Sequence, residues 1–432
     1  MRVAIIGAGY VGLVTGAVFA SFNNKVSVVD LNEDKVSLLR EGSLPFFEPK
    51  LEHLIKNGLK SKSLSFTTDC KQAVNKAKIV FICVGTPNSK NGEVDLTQLY
   101  SALREVARSL RNNSVIAIKS TVPIGVETKL KTIVKRYSQN NLEIVVVPEF
   151  LREGTAVDDA FHPDRIVIGV ENLRSKAVDL VLDLYKRLPG ERIICDLRSA
   201  QLIKYAANSF LATKISFANA VSRIAEKVGA DAKKVLIGVG LDKRIGSSHL
   251  NPGVGYGGSC LPKDVVAFIN ISKKIGYDFG LLKEVDRVNQ EQVKNFVKRI
   301  ISKLNNKLDG KRIAILGLSF KPGTDDIREA PSLKIIKMFL DAGCEVTAFD
   351  PVAIPNVNKT NLGPKIKFAD DAYAAAKDAD CLVIVTEWEE FANLDLLKIK
   401  KLMKTPLIAD GRNIYNSDEV RALGFDYLSV GV

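Results

Sequence analysis

The chain opens on an apolar run at residues 3–6, and short apolar runs recur at 26–30, 79–84, 115–119, 144–147 and 166–170. These read as strands. Apolar positions at helical spacing lie between them, as at 96–110. Strand alternating with helix predicts a parallel, doubly wound sheet. The middle of the chain has a different rhythm. From about residue 200 to 228, Leu202, Ile203, Tyr205, Ala206, Phe210, Leu211 and Ile215 recur at helical spacing, with neither Gly nor Pro before Gly229. A second helical pattern follows Cys260 and a third covers 284–304. A long helix apolar on more than one side is expected to be buried, between domains or against a second subunit. After the polar stretch 305–310 the strand pattern restarts at 311–317 and continues at 346–350, 381–386 and 407–410. The expected architecture is α/β: two Rossmann-like, doubly wound parallel-sheet domains, 1–198 and 305–432, joined through an all-α middle domain, 199–304, built on one long helix.

A chain of 432 residues exceeds what one core supports. Its 46% hydrophobic and 26% charged residues are those of an ordinary globular protein. The formal charge of +13 raises the question of nucleic acid. However, the Lys and Arg residues are scattered among acids with few aromatics interleaved. The densest run, 398–404, alternates with Leu and Met as an amphipathic helix does. Solvated faces and a bias toward small anions account for the charge, so no nucleic-acid partner is expected. The six cysteines, Cys70, Cys83, Cys195, Cys260, Cys344 and Cys381, form no CxxC pair and no regular spacing. That argues against a disulfide framework or a zinc site and for a reducing cytoplasm. No secretory leader, membrane span or metal site is expected.

The first strand runs into Gly7-Ala8-Gly9-Tyr10-Val11-Gly12, which fits GxGxxG, and an apolar helix follows. Asp30 closes the next strand, about 20 residues beyond Gly7. In this context Gly7 permits the tight turn, Gly9 lets backbone approach a pyrophosphate, and Gly12 allows close helix–strand packing. The phosphates rest on the helix N-terminus. Asp30 would accept from ribose hydroxyls and repel a 2′-phosphate, which predicts NAD over NADP, a preference that nearby Lys35 slightly weakens. Two further strand-end turns, Val84-Gly85-Thr86-Pro87 and Lys119-Ser120-Thr121-Val122-Pro123, lie where such sheets bind ligands.

Candidate chemistry concentrates at Asn251-Pro252-Gly253-Val254-Gly255-Tyr256-Gly257-Gly258-Ser259-Cys260-Leu261-Pro262-Lys263-Asp264. Pro262 suits a first helical turn. Cys260 then lies where free amides and the helix dipole favour a thiolate, with Lys263 adding charge and Asp264 available as a base. The competing reading is a small buried apolar cysteine. Glu149 and Glu153 lie four apart in Pro148-Glu149-Phe150-Leu151-Arg152-Glu153-Gly154, either as reactive carboxylates or as acids complementing a helix start. Lys204 and Asn208 share a face of the long helix, and a buried Lys there implies a paired or functional role. In the second α/β unit, Lys321 and Arg328 follow the first strand in a loop with a single early glycine, Gly317. That loop is either a phosphate site held by side-chain charge or an ordinary surface loop. The histidines His53 and His162 have no triad partner at a readable spacing.

Together these segments resemble the nucleotide-sugar dehydrogenases, the UDP-glucose/GDP-mannose dehydrogenase family. The markers run the length of the chain: GAGYVGL at Gly7, VGTP at Val84, STVP at Ser120, PEFLREG at Pro148, KxxxN at Lys204, RIG at Arg244, NPGVGYGGSCLPKD at Asn251 and FKPGTDDIRE at Phe320. Val147 departs from the Asn or Ser that many members carry before PEF. The resemblance implies two-step oxidation of a sugar 6-hydroxyl to a carboxylate, each step giving a hydride to one NAD. Cys260 would carry a thiohemiacetal and then a thioester that water releases. Lys204 and Asn208 would stabilise the oxyanion. Asp264 would support proton transfer, and Glu149 would act through a water held by Thr121. Implied cofactor contacts are Val11, Asp30, Lys35, Thr86, Thr121, Glu153, Lys263 and Arg328, beside the three glycines. Implied substrate contacts are Glu149, Phe150, Leu151, Arg152, Glu153, Lys204, Asn208, His249, Leu250, Asn251, Pro252, Gly253, Gly257, Lys321 and Arg412. Arg244 would come from the other subunit of a homodimer packed on the long helix. The GYGGSCLPKD loop points to the UDP-glucose branch, with GDP-mannose or an N-acetylated UDP-hexosamine as the alternative substrate. A β-hydroxyacid dehydrogenase would need neither the Cys loop nor a second α/β domain.

Overall fold

The computed structural model describes residues 1–89 and 91–431 and divides into two compact units, Met1–Ala207 and Asn208–Val432. The first unit is built on eight strands: β1 Arg2–Ile6, β2 Lys25–Val29, β3 Leu64–Thr67, β4 Ile79–Ile82, β5 Val115–Ile118, β6 Glu143–Val146, β7 Arg165–Val170 and β8 Glu191–Asp196. Their order across the sheet is β3-β2-β1-β4-β5-β6-β7-β8. Successive residues of a strand point to opposite faces. Accordingly Val3, Ile5, Val26, Val28 and Phe81 enter one apolar cluster, and Ala4, Ile6, Val80 and Ile82 enter the other. Both faces are covered by helices, which is why the strands read as continuous apolar runs. Phe19 packs against Phe81 and Tyr185 at ring-centroid distances of 5.5 and 5.1 Å. Burying one such ring contributes about 2 kcal/mol.

Pairing is parallel through β6, whereas β7 joins β6 in the antiparallel sense, Val146 opposite Gly169, and β8 then lies parallel to β7. The connection from β6 therefore leaves and re-enters at one end of the sheet, and it carries the PEFLREG segment. β3 and β8 lie beyond the six strands expected in this unit. The Leu64-Ser65-Phe66-Thr67 run alternates, and β8 is interrupted by charge and largely exposed at the sheet edge, so neither shows an unbroken apolar run.

The long helix Leu197–Val228 starts in the first unit and ends in the second. The second unit also holds the helices Leu261–Lys274 and Gly280–Lys303. The latter starts four residues before the expected 284. Its six strands are β9 Arg312–Leu316, β10 Glu345–Phe349, β11 Lys367–Phe368, β12 Cys381–Ile384, β13 Leu407–Asp410 and β14 Asp426–Ser429, all parallel, in the order β11-β10-β9-β12-β13-β14. This repeats the order of the first six strands of the other sheet. The acid closing the second strand differs between the two. Asp350, 2% exposed, accepts from Leu318 N, Ser319 N, Ser319 Oγ, Trp388 Nε1, Val352 N and Ala353 N at 2.7–3.2 Å.

Candidate functional site

In the first unit the predicted residues gather at the carboxyl ends of the strands. Gly7 follows β1 and Tyr10 begins the helix Tyr10–Ser21. A Cβ at Gly12 would stand 1.9 Å from the Gly7 carbonyl oxygen, so this helix lies too close to its strand for any side chain there. A Cβ at Gly9 would meet nothing within 4 Å, leaving its backbone open to a ligand. Val11 is half-buried beside the turn. Asp30 accepts from Ala8 N at 2.9 Å and Asn32 N at 3.1 Å, and pairs with Lys35 at 3.0 Å. Burial works against ionisation of Asp30, but these donors outweigh it and its carboxyl lies below the usual value. An ionised acid at the tip of β2 beside an open glycine turn fits the ribose and pyrophosphate of NAD. The next two strand-end turns are tied together: Thr86 donates to the Thr121 carbonyl at 2.9 Å, and Ser120 donates to Val84 O at 2.7 Å.

Glu149 and Lys204 form a buried pair, Nζ to Oε1 2.8 Å, their side chains 7% and 5% exposed. The other Glu149 oxygen accepts from Leu151 N at 2.7 Å. Burial alone would push this carboxyl up. The Lys204 charge and hydrogen bond, the Leu151 amide and the Lys119 charge reverse that, and it lies below its ordinary value. Lys204 also stands 5.4 Å over the Phe150 ring, whose centroid is 4.0 Å from the Arg165 guanidinium. A small pocket lined by Ser120, Thr121, Pro148, Gln201 and Lys204 adjoins the pair. The PEFLREG acids do not begin a helix, which removes the dipole reading. Residues 148–155 are irregular, and the helix starts at Ala156 with Asp158 and Asp159 in its first turn. Arg152 pairs with Asp159 at 2.6 Å, and Glu153 is buried.

In the second unit Cys260 caps the helix Leu261–Lys274, with Pro262 in its first turn. It is half-buried, with Ser259 Oγ 3.5 Å from its sulfur. Asp264 N donates to Cys260 O at 2.9 Å. The Asp264 carboxylate is 1% exposed and bridges two donors, Asn208 Nδ2 at 2.6 Å and the Lys263 ammonium. The Lys263 charge is thus shared with Asp264 and does not act on the sulfur alone. Buried charge held this way is costly to disturb.

The loop before Cys260 is fixed from several sides. Asn219 accepts from Gly253 N at 2.9 Å and Gln292 donates to Gly253 O at 2.9 Å. Asn289 accepts from Tyr256 N at 2.8 Å and donates to Tyr256 O at 3.1 Å, as a paired strand would. Gly258 N donates to Arg328 O at 2.8 Å, and a Cβ at Gly257 would lie 2.4 Å from Glu329 O. The loop 321–329 therefore packs directly on the cysteine loop. Arg412 donates to the carbonyls of Val385, Gly255 and Phe320 at 2.7, 3.3 and 3.3 Å. Lys321 is half-buried over the Phe320 ring, and the Arg328 guanidinium pairs with Asp326 at 2.7 Å. His249 adopts φ 64° and bonds Ser248 at 2.7 Å, Leu250 and Pro252 are buried, and Asn251 is exposed. Arg244 is exposed and pairs with Asp242 at 2.6 Å.

Glu48, Asn219, Asn289 and Gln292 were not among the candidates. Asn289 and Gln292 stand on the apolar face of their helix, which is the one trace they leave in the sequence. Among the described residues no group of three or more His, Cys, Asp or Glu is placed to hold a metal, and no helix is long and apolar enough to cross a membrane.

With this geometry in hand, three successive segments match known domains. Residues 1–189 match the NAD binding domain of the UDP-glucose/GDP-mannose dehydrogenase family, 198–291 its central domain and 314–417 its UDP binding domain. A UDP-glucose 6-dehydrogenase of Rhizobium meliloti is 43% identical, covering 100% of this chain and 99% of that protein. Another, from Bacillus subtilis, is 42% identical over 100% of this chain and 93% of that one. A solved UDP-glucose dehydrogenase from the hyperthermophilic archaeon Pyrobaculum islandicum superposes with a TM-score of 0.92 at 35% identity, covering 99% of this chain and 97% of the other. The three matched segments span most of the chain, and relatives above 40% identity cover it end to end, so the chain belongs to the UDP-glucose/GDP-mannose dehydrogenase family.

Proposed function

We propose that this chain oxidises UDP-glucose at C6 to UDP-glucuronate. The alcohol carbon loses four electrons in two steps, two NAD are reduced, and one water is consumed. Residues 1–198 serve as the NAD domain, 199–304 as the central helical part with the reactive cysteine, and 305–432 as the UDP-sugar domain. The 7–12 turn, Asp30, Lys35, Thr86 and Thr121 would hold NAD, which would supply the hydride acceptor for both oxidations. The observation that carries the reading is the half-buried Cys260 at a helix N-terminus, one turn from an aspartate tied to Asn208. Free amides there favour the thiolate. Its sulfur adds to the C6 aldehyde to give a thiohemiacetal, whose oxidation leaves a thioester. Water cleaves the thioester, freeing the acid and the thiol. One covalent site can thereby complete both oxidations without releasing the aldehyde. Lys204 and Asn208, four apart on one helix, stabilise oxyanions. Glu149, kept ionised by Lys204, receives a proton through water held by Thr121, and Asp264 orients Asn208 and supports proton transfer. Lys321 and Arg412 suit a diphosphate.

The long helix leaves Phe210, Phe217 and Ile224 53–65% exposed at a repeat close to two turns, with Val228, 71% exposed, one turn further on. Such a stripe favours a homodimer on this helix, with Arg244 reaching the partner's site. None of the six cysteines forms a disulfide, which suits the cytoplasm. The test is a panel of UDP- and GDP-sugars followed at the NADH absorbance. UDP-glucose should yield two NADH per molecule consumed, and Cys260→Ser should stop after the first oxidation or trap an adduct. One NADH with free aldehyde, or unaltered turnover in the variant, refutes the covalent scheme.

A further inference from the structure

Glu48 lies in the irregular stretch between the helices Glu33–Arg40 and Leu51–Lys60 and is 3% exposed. Such a burial needs donors, and three converge on it. The Tyr10 hydroxyl donates to Oε2 at 2.9 Å, Gly154 N to Oε2 at 2.6 Å and Ala156 N to Oε1 at 2.8 Å. The helix Ala156–Phe161 has no side-chain cap of its own, since Thr155 makes none. A carboxylate from more than 100 positions earlier in the chain therefore satisfies the first amide of that helix. The donors belong to two functional segments. Tyr10 is the first residue of the helix at the glycine turn, and its ring lies 5.6 Å from that of Phe46, two residues before Glu48. Gly154 and Ala156 close the loop that begins with Glu149, the partner of Lys204.

We propose that Glu48 is a positioning residue that clamps the 149–156 loop to the dinucleotide turn through Tyr10, so that cofactor binding and the placement of the Glu149–Lys204 pair are coupled. The proposal rests on the NAD-dehydrogenase reading and adds to it a residue that touches neither cofactor nor substrate. Burial holds the Glu48 carboxyl above its ordinary value against the pull of its donors. A carboxylate gripping three donors ties the two segments together, and replacing it with an amide exchanges one acceptor oxygen for an NH2 donor set against facing donors. A structural role alone would lower stability and leave the folded enzyme's constants unchanged.

The experiment measures NAD Kd by calorimetric titration, kcat with UDP-glucose, and Tm for Glu48→Gln, Tyr10→Phe and the double variant. Glu48→Gln should weaken NAD about tenfold and lower kcat by a similar factor, the scale of one lost charge-assisted hydrogen bond. Tyr10→Phe should show a smaller loss of the same kind and, in the Glu48→Gln background, add almost nothing. If Glu48→Gln does not fold, Tyr10→Phe still decides, because it deletes a single oxygen at the clamp. Variants with wild-type Kd and kcat, whatever their Tm, overturn the clamp, as do additive losses in the double variant. Absence of NAD binding by the wild-type chain would instead sink the dehydrogenase reading and the clamp together.

Discussion

Replacing Lys204 with Met tests the buried pair on which the first unit's chemistry rests. The two side chains are 5% and 7% exposed, so Lys204→Met leaves Glu149 a nearly sealed carboxylate held by the Leu151 amide and the Lys119 charge. Breaking a buried pair from one side costs about 3–5 kcal/mol. For a unit of this size each kcal/mol lowers the midpoint by about 2–4 °C, giving a loss of roughly 6–20 °C. The sign of its pH dependence follows from Glu149. In the parent chain its carboxyl lies below the ordinary value, so its stabilisation is present at neutral pH and is lost as pH falls through the folded value. In the variant burial loses its main opponent and the carboxyl rises. Its charge then becomes a penalty that grows as pH climbs past the ordinary carboxylate range, about 4. The deficit should be widest near pH 7 and narrow toward pH 4. Scanning calorimetry of Lys204→Met, Glu149→Leu and the double variant at both pH values reads this directly, and the double variant should regain most of the loss. Equal deficits at the two pH values, or additive losses in the double variant, would refute the coupling.

Two other outcomes follow from close contacts. Gly12→Ala places a methyl 1.9 Å from a backbone oxygen that cannot yield, so NAD binding should fall below detection by titration at a stability cost of about 1–3 kcal/mol; binding within tenfold of the parent would contradict the close-packing argument. Asn289→Ala strands the Tyr256 amide and carbonyl in a buried loop, which should cost about 2–5 kcal/mol in urea unfolding and change the rate of Cys260 alkylation, whereas an unchanged rate would show that the loop is fixed by other groups.

Continuous apolar runs made six strands of the first unit and four of the second readable, because strands covered on both faces show their burial at every residue. The exposed edge strand β8 and the two-residue β11 show none. Motif residues were readable where chemistry dictates residue type, as at Gly12, Asp30 and Cys260. The partners that hold them were not. Glu48 reaches Ala156 across 108 positions and Asn289 reaches Tyr256 across 33. Such bonds join segments that only the folded topology brings together. The reversal of β7 was equally hidden, since apolar runs carry no sense of direction.

The two sheets share one strand order, yet the aspartates closing their second strands have different fates. Asp30 keeps part of its surface open at the rim, while Asp350 has all its accepting capacity consumed by its own loop and Trp388. The same position in one duplicated topology thus holds an acceptor open to the surface in the first sheet and a wholly internal brace in the second, where the carboxylate locks its own loop in place.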